Sequence, residues 1–294
     1  MSADKYLART GISIVDSHQH FWQLSRGGYN WLKPDLKVLY QDFLPEQLAP
    51  ELTESNVGQT MLIQAEESEE EIYFMLAIAE VSKFVAGVVG WVDMEAPNVL
   101  EKLSHFCESK YFKGIRPMLQ DIDDVNWILK DEFNPIFQFM AEKQLTFDAL
   151  IKDVHLSNIH ILAERHPTLN IVINHCAKPN LSLGPSDFWQ QRLINISSCE
   201  NVYIKLSGLL TEAPQGHVSI EIIQPYFDHI MAVFGPDKIM WGSDWPVIKL
   251  NGDYDTWVSL TQSLLKNYSF KDKRKIWAAN ARQFYNLPPY QVEK

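Results

Sequence analysis

The sequence predicts a single-domain α/β protein, a (β/α)8 TIM barrel. Eight short apolar runs alternate with stretches of helical period, and no linker or break in composition divides the chain. The length of 294 residues suits a closed barrel, which typically takes about 250. A doubly wound dinucleotide-binding sheet would carry GxGxxG after its first strand, and that motif is absent.

The expected strands are residues 12–15, 59–64, 85–92, 112–118, 145–150, 170–174, 202–206 and 238–241. Most are rich in Val and Ile at consecutive positions, as parallel strands covered on both faces require. Helical period fills 69–83, 135–143, 154–166, 188–198 and 220–234, and a final pair spans 254–265 and 271–285. The first of these opens on Glu69, Glu70 and Glu71, acids that suit the positive end of a helix dipole. One irregular stretch, 21–44, is too long for an ordinary strand-to-helix connection. It holds Trp22, Trp31, Gly27, Gly28 and Pro34. Long loops of this type lie over the active-site face of a barrel, so an aromatic-rich lid or pocket wall is expected. A surface insertion would account for the length, but indoles call for apolar burial or a stacking ligand.

Composition narrows the partners. The formal charge is 26 − 37 = −11, which repels nucleic acid and anionic membranes. Cys107, Cys176 and Cys199 are odd in number and lack CxxC spacing, so they read as thiols of a reducing compartment. No signal peptide follows the initiating Met, and no apolar run approaches the roughly 18 residues of a membrane span. A cytoplasmic location is expected.

In a barrel, side chains at the carboxyl ends of the strands converge on one mouth. The first strand leads into Asp16-Ser17-His18-Gln19-His20. Residues two apart in an extended chain point the same way, so His18 and His20 project together. Such a pair can bind one divalent ion or hydrogen-bond one substrate, and a purely structural pair fits the same pattern. His175 ends the sixth strand, where a ligand and a hydrogen-bonded core histidine are both reasonable. Asp244 follows Gly-Ser after the eighth strand. Beside Trp241 and Trp245 its carboxylate would be desolvated and its pKa raised, as suits a general base; a helix N-cap is the alternative. Arg116, in Gly-Ile-Arg-Pro at the fourth strand, can hold a carboxylate or polarise a carbonyl, or form an internal salt bridge.

Together these segments resemble the amidohydrolase superfamily, and more narrowly its sugar-lactonase branch. The resemblance rests on DSHQHFW (16–22) with YNWL (29–32), FKGIRPMLQD (112–121), INHCAKP (173–179), YIKLSGL (203–209), MWGSDWPV (240–247) and NARQFYNL (280–287). It implies that Asp244 activates the attacking water. It also implies that His18, His20 and His175 hold a metal ion or the substrate carbonyl. Binuclear members carry Lys or Glu after strand four and His after strand five. Here Arg116 occupies the first place, and strand five runs Phe147-Asp148-Ala149-Leu150, with His155 beyond it in the next helix. Two metals are therefore not expected. Three imidazoles and one carboxylate, His18, His20, His175 and Asp244, suit one Zn²⁺ or Mn²⁺, and some members of this branch work without metal.

The implied reaction is hydrolysis of a sugar-acid lactone of the L-fucono or L-rhamnono type. Asp244, His175 and Arg116 are the expected catalytic groups. Trp22, Trp31 and Trp245 are expected to stack on the sugar, and Gln64 to bond its hydroxyls or to serve a structural bond. The expected partners are that small molecule and, in assembly, a second copy forming a homodimer. A metal-dependent decarboxylase and a non-catalytic sugar-acid binding barrel are the alternatives.

Overall fold

The computed structural model describes residues 12–288, so the N-terminus on which the signal-peptide reading rests lies outside the described residues. Eight strands form one sheet in chain order, each parallel to its neighbours. They are β1 (Ile14–Gln19), β2 (Val57–Ile63), β3 (Val85–Gly90), β4 (Phe112–Ile115), β5 (Thr146–Ala149), β6 (Asn170–Ile173), β7 (Val202–Leu206) and β8 (Ile239–Trp241). The sheet closes just past β8. The His20 amide donates to the Trp245 carbonyl at 2.7 Å, and the Asp244 amide donates to the His18 carbonyl at 2.8 Å. Closure thus locks the histidine pair of β1 to the segment bearing Asp244. Gly242 permits this approach, since a Cβ there would lie 2.8 Å from that of His18.

β1 begins two residues later than expected and continues through the polar run to Gln19. Polarity does not end the strand, because its side chains find partners inside the barrel. The Asp16 carboxylate accepts the Ser243 amide at 2.8 Å and the Tyr254 hydroxyl at 2.9 Å, and Gln19 donates to Thr60 at 3.1 Å.

The outer layer comprises α1 (Pro45–Glu54), α2 (Glu69–Val81), α3 (Val99–Phe106), α4 (Asn134–Glu142), α5 (Leu156–Arg165), α6 (Asp187–Ser197), α7 (Ile220–Phe234) and α8 (Tyr254–Leu264), then helical segment 270–284. Ser68, Ser186 and Asp253 each accept an amide of the following turn and so fix where α2, α6 and α8 begin. The sequence reading has no counterpart for α1 and α3. α1 buries only Leu48 and Leu52 and contains Pro50, and α3 is a mere eight residues, so neither sustains a periodic signal. His155 falls in a short 3-10 turn before α5 rather than in the helix. Among the described residues no helix is long and apolar enough to cross a membrane.

Candidate active site

A cleft opens at the mouth of the barrel. His20, Arg116, His175 and Asp244 reach it from four different strand ends, joined by Trp31 from the loop 21–44 and by Lys178. Four expected residues do not line it. His18 lies beneath the floor. Trp22 is fully buried, donates its indole N–H to the Gln41 carbonyl and packs edge-on against Trp31 and Phe43. Trp245 is likewise buried, between Phe21 and Phe43. Trp22 backs the wall that Trp31 presents, Trp245 packs against Phe43, and neither indole lines the cleft. Gln64 is sealed as well. Its Oε1 accepts from Arg116 Nη2 at 3.1 Å and its Nε2 donates to the Arg116 carbonyl at 3.0 Å, so it orients the guanidinium and leaves sugar hydroxyls alone.

The histidines form an ordered chain. The Ile63 carbonyl, which can only accept, lies 2.8 Å from His20 Nδ1, so that nitrogen carries the ring proton and Nε2 offers its lone pair inward. The Lys205 ammonium, which can only donate, lies 3.3 Å from His18 Nδ1. His18 therefore carries its proton on Nε2, 3.2 Å from the free nitrogen of His20. Asp244 Oδ1 stands 3.3, 3.7 and 3.8 Å from Nε2 of His20, His18 and His175. Burial holds all three imidazoles below their ordinary pKa, His175 down to about 3, so they are neutral near pH 7.

Desolvation beside tryptophans was expected to raise the Asp244 pKa, and the structure corrects that expectation. Burial does push the carboxyl up, but the His175 and His20 rings and, least of the three, the Lys178 ammonium outweigh it, and the group sits below the usual aspartate range. Arg116 makes no internal salt bridge, since no carboxylate of the described residues lies within ion-pair distance of it. Its Nη2 is held by Gln64, Nη1 approaches His18 Nε2 at 3.5 Å, and the buried Nε has no partner among the described residues. Burial lowers it to about 10, which still leaves it cationic at neutral pH.

His175 owes its direction to backbone that its sequence does not advertise. His175, Cys176, Ala177 and Lys178 all have positive φ (51°, 55°, 61° and 49°), a left-handed turn built without glycine. Each such residue is disfavoured by roughly 1–2 kcal/mol, so the surroundings must hold it. Cys176 is clamped by its Sγ on the Lys205 carbonyl and by the Trp189 indole on its own carbonyl. Ser207 Oγ lies 3.0 Å from His175 Nδ1; donating there, it leaves the Nε2 proton facing Asp244. Gly208 makes room, because a Cβ would lie 2.5 Å from that ring nitrogen.

Two site residues escaped the sequence reading. Asp148 on β5 and Lys205 on β7 are fully buried and paired at 2.6 Å, and the Tyr285 hydroxyl and Asn174 amide also donate to the carboxylate. A charge set inside each of two otherwise apolar strands, TFDA and VYIKL, was the available signal.

His18, His20 and Asp244 present ligand atoms all within 4.8 Å of one another, a set that fits one divalent ion. His20 is pre-set for it by Ile63, whereas a metal on His18 Nε2 would shift that ring's proton to Nδ1, beside the Lys205 ammonium.

An amidohydrolase family model matches residues 15–287. The chain belongs to the amidohydrolase family. It is 37% identical over 278 residues to an L-fucono-1,5-lactonase of Burkholderia ambifaria, covering 93% of this chain and 95% of that one. A zinc-bound amidohydrolase from Burkholderia multivorans superposes with a TM-score of 0.90 at 30% identity, covering 94% of this chain and 100% of that chain. A 5-carboxyvanillate decarboxylase from Sphingomonas paucimobilis shares the family's barrel at a TM-score of 0.66 but only 13% identity over 94% of this chain and 100% of that one, a likeness of fold alone.

Proposed function

We propose that the chain hydrolyses a sugar-acid lactone of the L-fucono-1,5-lactone type to the open aldonic acid. One observation carries the chemistry. Asp244 is an ionised carboxylate on the cleft floor with no Lys or Arg of the described residues in ion-pair contact, flanked by neutral imidazoles and sharing the cleft with Arg116 and His175. The lactone comes from the 37% identical relative.

A water beside Asp244 Oδ1 gives its proton to the carboxylate as it attacks the ring ester carbonyl. Charge develops on the carbonyl oxygen, which accepts from the Arg116 guanidinium and from His175, both lining the cleft. On collapse the ring C–O bond breaks, and Asp244 returns its proton to the departing alkoxide oxygen. Arg116 is cationic at neutral pH, and two oxygens of Gln64, its carbonyl and Oε1, already accept from Nη2 and orient it, so little reorganisation accompanies the charge change. His18, His20 and Asp244 would hold a divalent ion, Zn²⁺ or Mn²⁺, which when bound supplies further polarisation of the carbonyl. Trp31 supplies an apolar face for the sugar ring.

A lactone panel read by acid release tests this, with and without chelator and added Zn²⁺. Rapid acid formation from L-fucono-1,5-lactone supports the reading. Turnover of no lactone, with carbon dioxide released from an aromatic acid, would overturn it.

A further inference from the structure

Glu71 lies in the first turn of α2, where an acid ordinarily sits in solvent beside the positive end of the helix. Here it is fully buried. Its two oxygens serve two different segments. Oε1 accepts the Ala65 amide at 3.2 Å, within the connection that leaves β2. Oε2 accepts Arg26 Nη1 at 2.5 Å and the Tyr29 hydroxyl at 3.2 Å, both from the loop 21–44. The Arg26 guanidinium also lies over the Phe74 ring at 4.0 Å, which holds the loop from a second side.

Ala65 is the junction. While its amide binds Glu71, its carbonyl accepts the Trp31 indole N–H at 2.7 Å, and both Ala65 and Trp31 line the cleft. The loop therefore meets the β2–α2 connection through an ion pair and through the cleft tryptophan, and both contacts bear on one residue. Between them Gly28 (φ 83°) passes so near Glu66 that a Cβ would lie 1.7 Å from its carboxylate. The closeness of that approach makes the pose of Trp31 sensitive to where the loop is anchored.

We propose that Glu71 is a positioning residue for substrate binding: it latches the loop so that Trp31 stands as a fixed cleft wall. The kinetic part of this rests on the lactone reading of the cleft. Glu71 touches no reacting atom, so its loss should weaken binding of substrate and transition state alike, raising KM and sparing kcat. A merely structural role would lower the unfolding temperature and leave that ratio alone.

Glu71→Gln and Trp31→Phe, made singly and together, test the latch on L-fucono-1,5-lactone. Glu71→Gln is expected to raise KM about tenfold with kcat within about twofold. If it acts through Trp31, the double variant raises KM no further than the larger single. KM factors that multiply, or a KM unchanged in Glu71→Gln, overturn the proposal. Tyr29→Phe removes two hydrogen bonds, one to Glu71 and one from Arg26, and no charge. Should Glu71→Gln fail to fold, Tyr29→Phe must still raise KM by about twofold to threefold for the latch to stand. Trypsin cleavage after Arg26 and Lys37 separates the latch from the substrate assignment. Faster cutting in Glu71→Gln than in wild type supports the latch, and equal rates overturn it, whether or not the wild type turns over lactones.

Discussion

Asp244 and Asp148 are both carboxylates buried at the mouth of one barrel, and they have been given opposite surroundings. Asp148 is neutralised by Lys205 at 2.6 Å and takes two more donors from Tyr285 and Asn174, all sealed from solvent. Asp244 has no Lys or Arg in ion-pair contact; it meets three neutral rings at 3.3 to 3.8 Å and opens on the cleft. A satisfied carboxylate can hold a framework but cannot take a proton. An ionised one without a bound counter-ion, beside a water-accessible space, can. The difference separates the group that does chemistry from the group that props it, and each can be tested by removing it.

Asp244→Asn should produce the largest effect. It keeps the shape and removes the proton acceptor, so kcat for lactone hydrolysis is expected to fall by about 10³ or more with the fold intact. Acid release together with a circular-dichroism melt checks it. A rate within tenfold of wild type would remove Asp244 from the role of base.

Lys205→Met should act on the other carboxylate. It strands Asp148 without its counter-ion in a dry interior, and a loss of roughly 3–5 kcal/mol in unfolding free energy is expected. Adding Asp148→Asn removes the stranded charge while keeping an acceptor for Tyr285, so the double variant should recover part of that loss. Urea denaturation of both variants decides. A double variant less stable than Lys205→Met alone would mean that the pair matters for more than its charge. Lys205→Met also releases His18 Nδ1, so even the framework pair reaches the histidine chain through one hydrogen bond.

How much of this was legible in the sequence depended on which physical signal a residue leaves. The eight strands announced themselves through runs of Val and Ile, and the polar residues after them pointed to His20, His175, Arg116 and Asp244, which do meet. Trp22 and Trp245 are expected on the sugar because a tryptophan outside a regular element signals burial without saying against what. Here Trp22 packs behind Trp31, and Trp245 packs between Phe21 and Phe43. Gln64 was open to both readings, and only tertiary contact reveals that it serves Arg116. The left-handed turn at His175 left no trace, since none of its residues is the glycine such dihedrals favour. Asp148 and Lys205 stood within apolar strands yet are more than fifty residues apart, so their pairing appears only once β5 and β7 share an interior.

The smallest expected effect concerns pH, and it bears on the sign of the Asp244 shift. Two tryptophans next to Asp244 in sequence suggest a raised pKa, and with it a rate that falls as the pH drops through about 6 to 5. The His175 and His20 rings, with Lys178 as the smallest contributor, reverse that, placing the carboxyl below its ordinary range. A base must be ionised to act, so kcat/KM should stay flat as the pH falls from 7 to 5 and decline only below the reference aspartate value of about 3.9. The same sign governs stability. A depressed folded-state pKa contributes stability above the unfolded value and loses it as pH falls through the folded one. Asp16, pushed up to about 6 by burial, works the other way, so protein stability between pH 4 and 6 reports Asp16 while activity over that range reports Asp244. Lys178→Met sharpens the assignment, because removing that ammonium should move the acid limb of kcat/KM upward. An acid limb already near pH 6 in the wild type, unmoved in Lys178→Met, would mean that burial dominates at Asp244 after all.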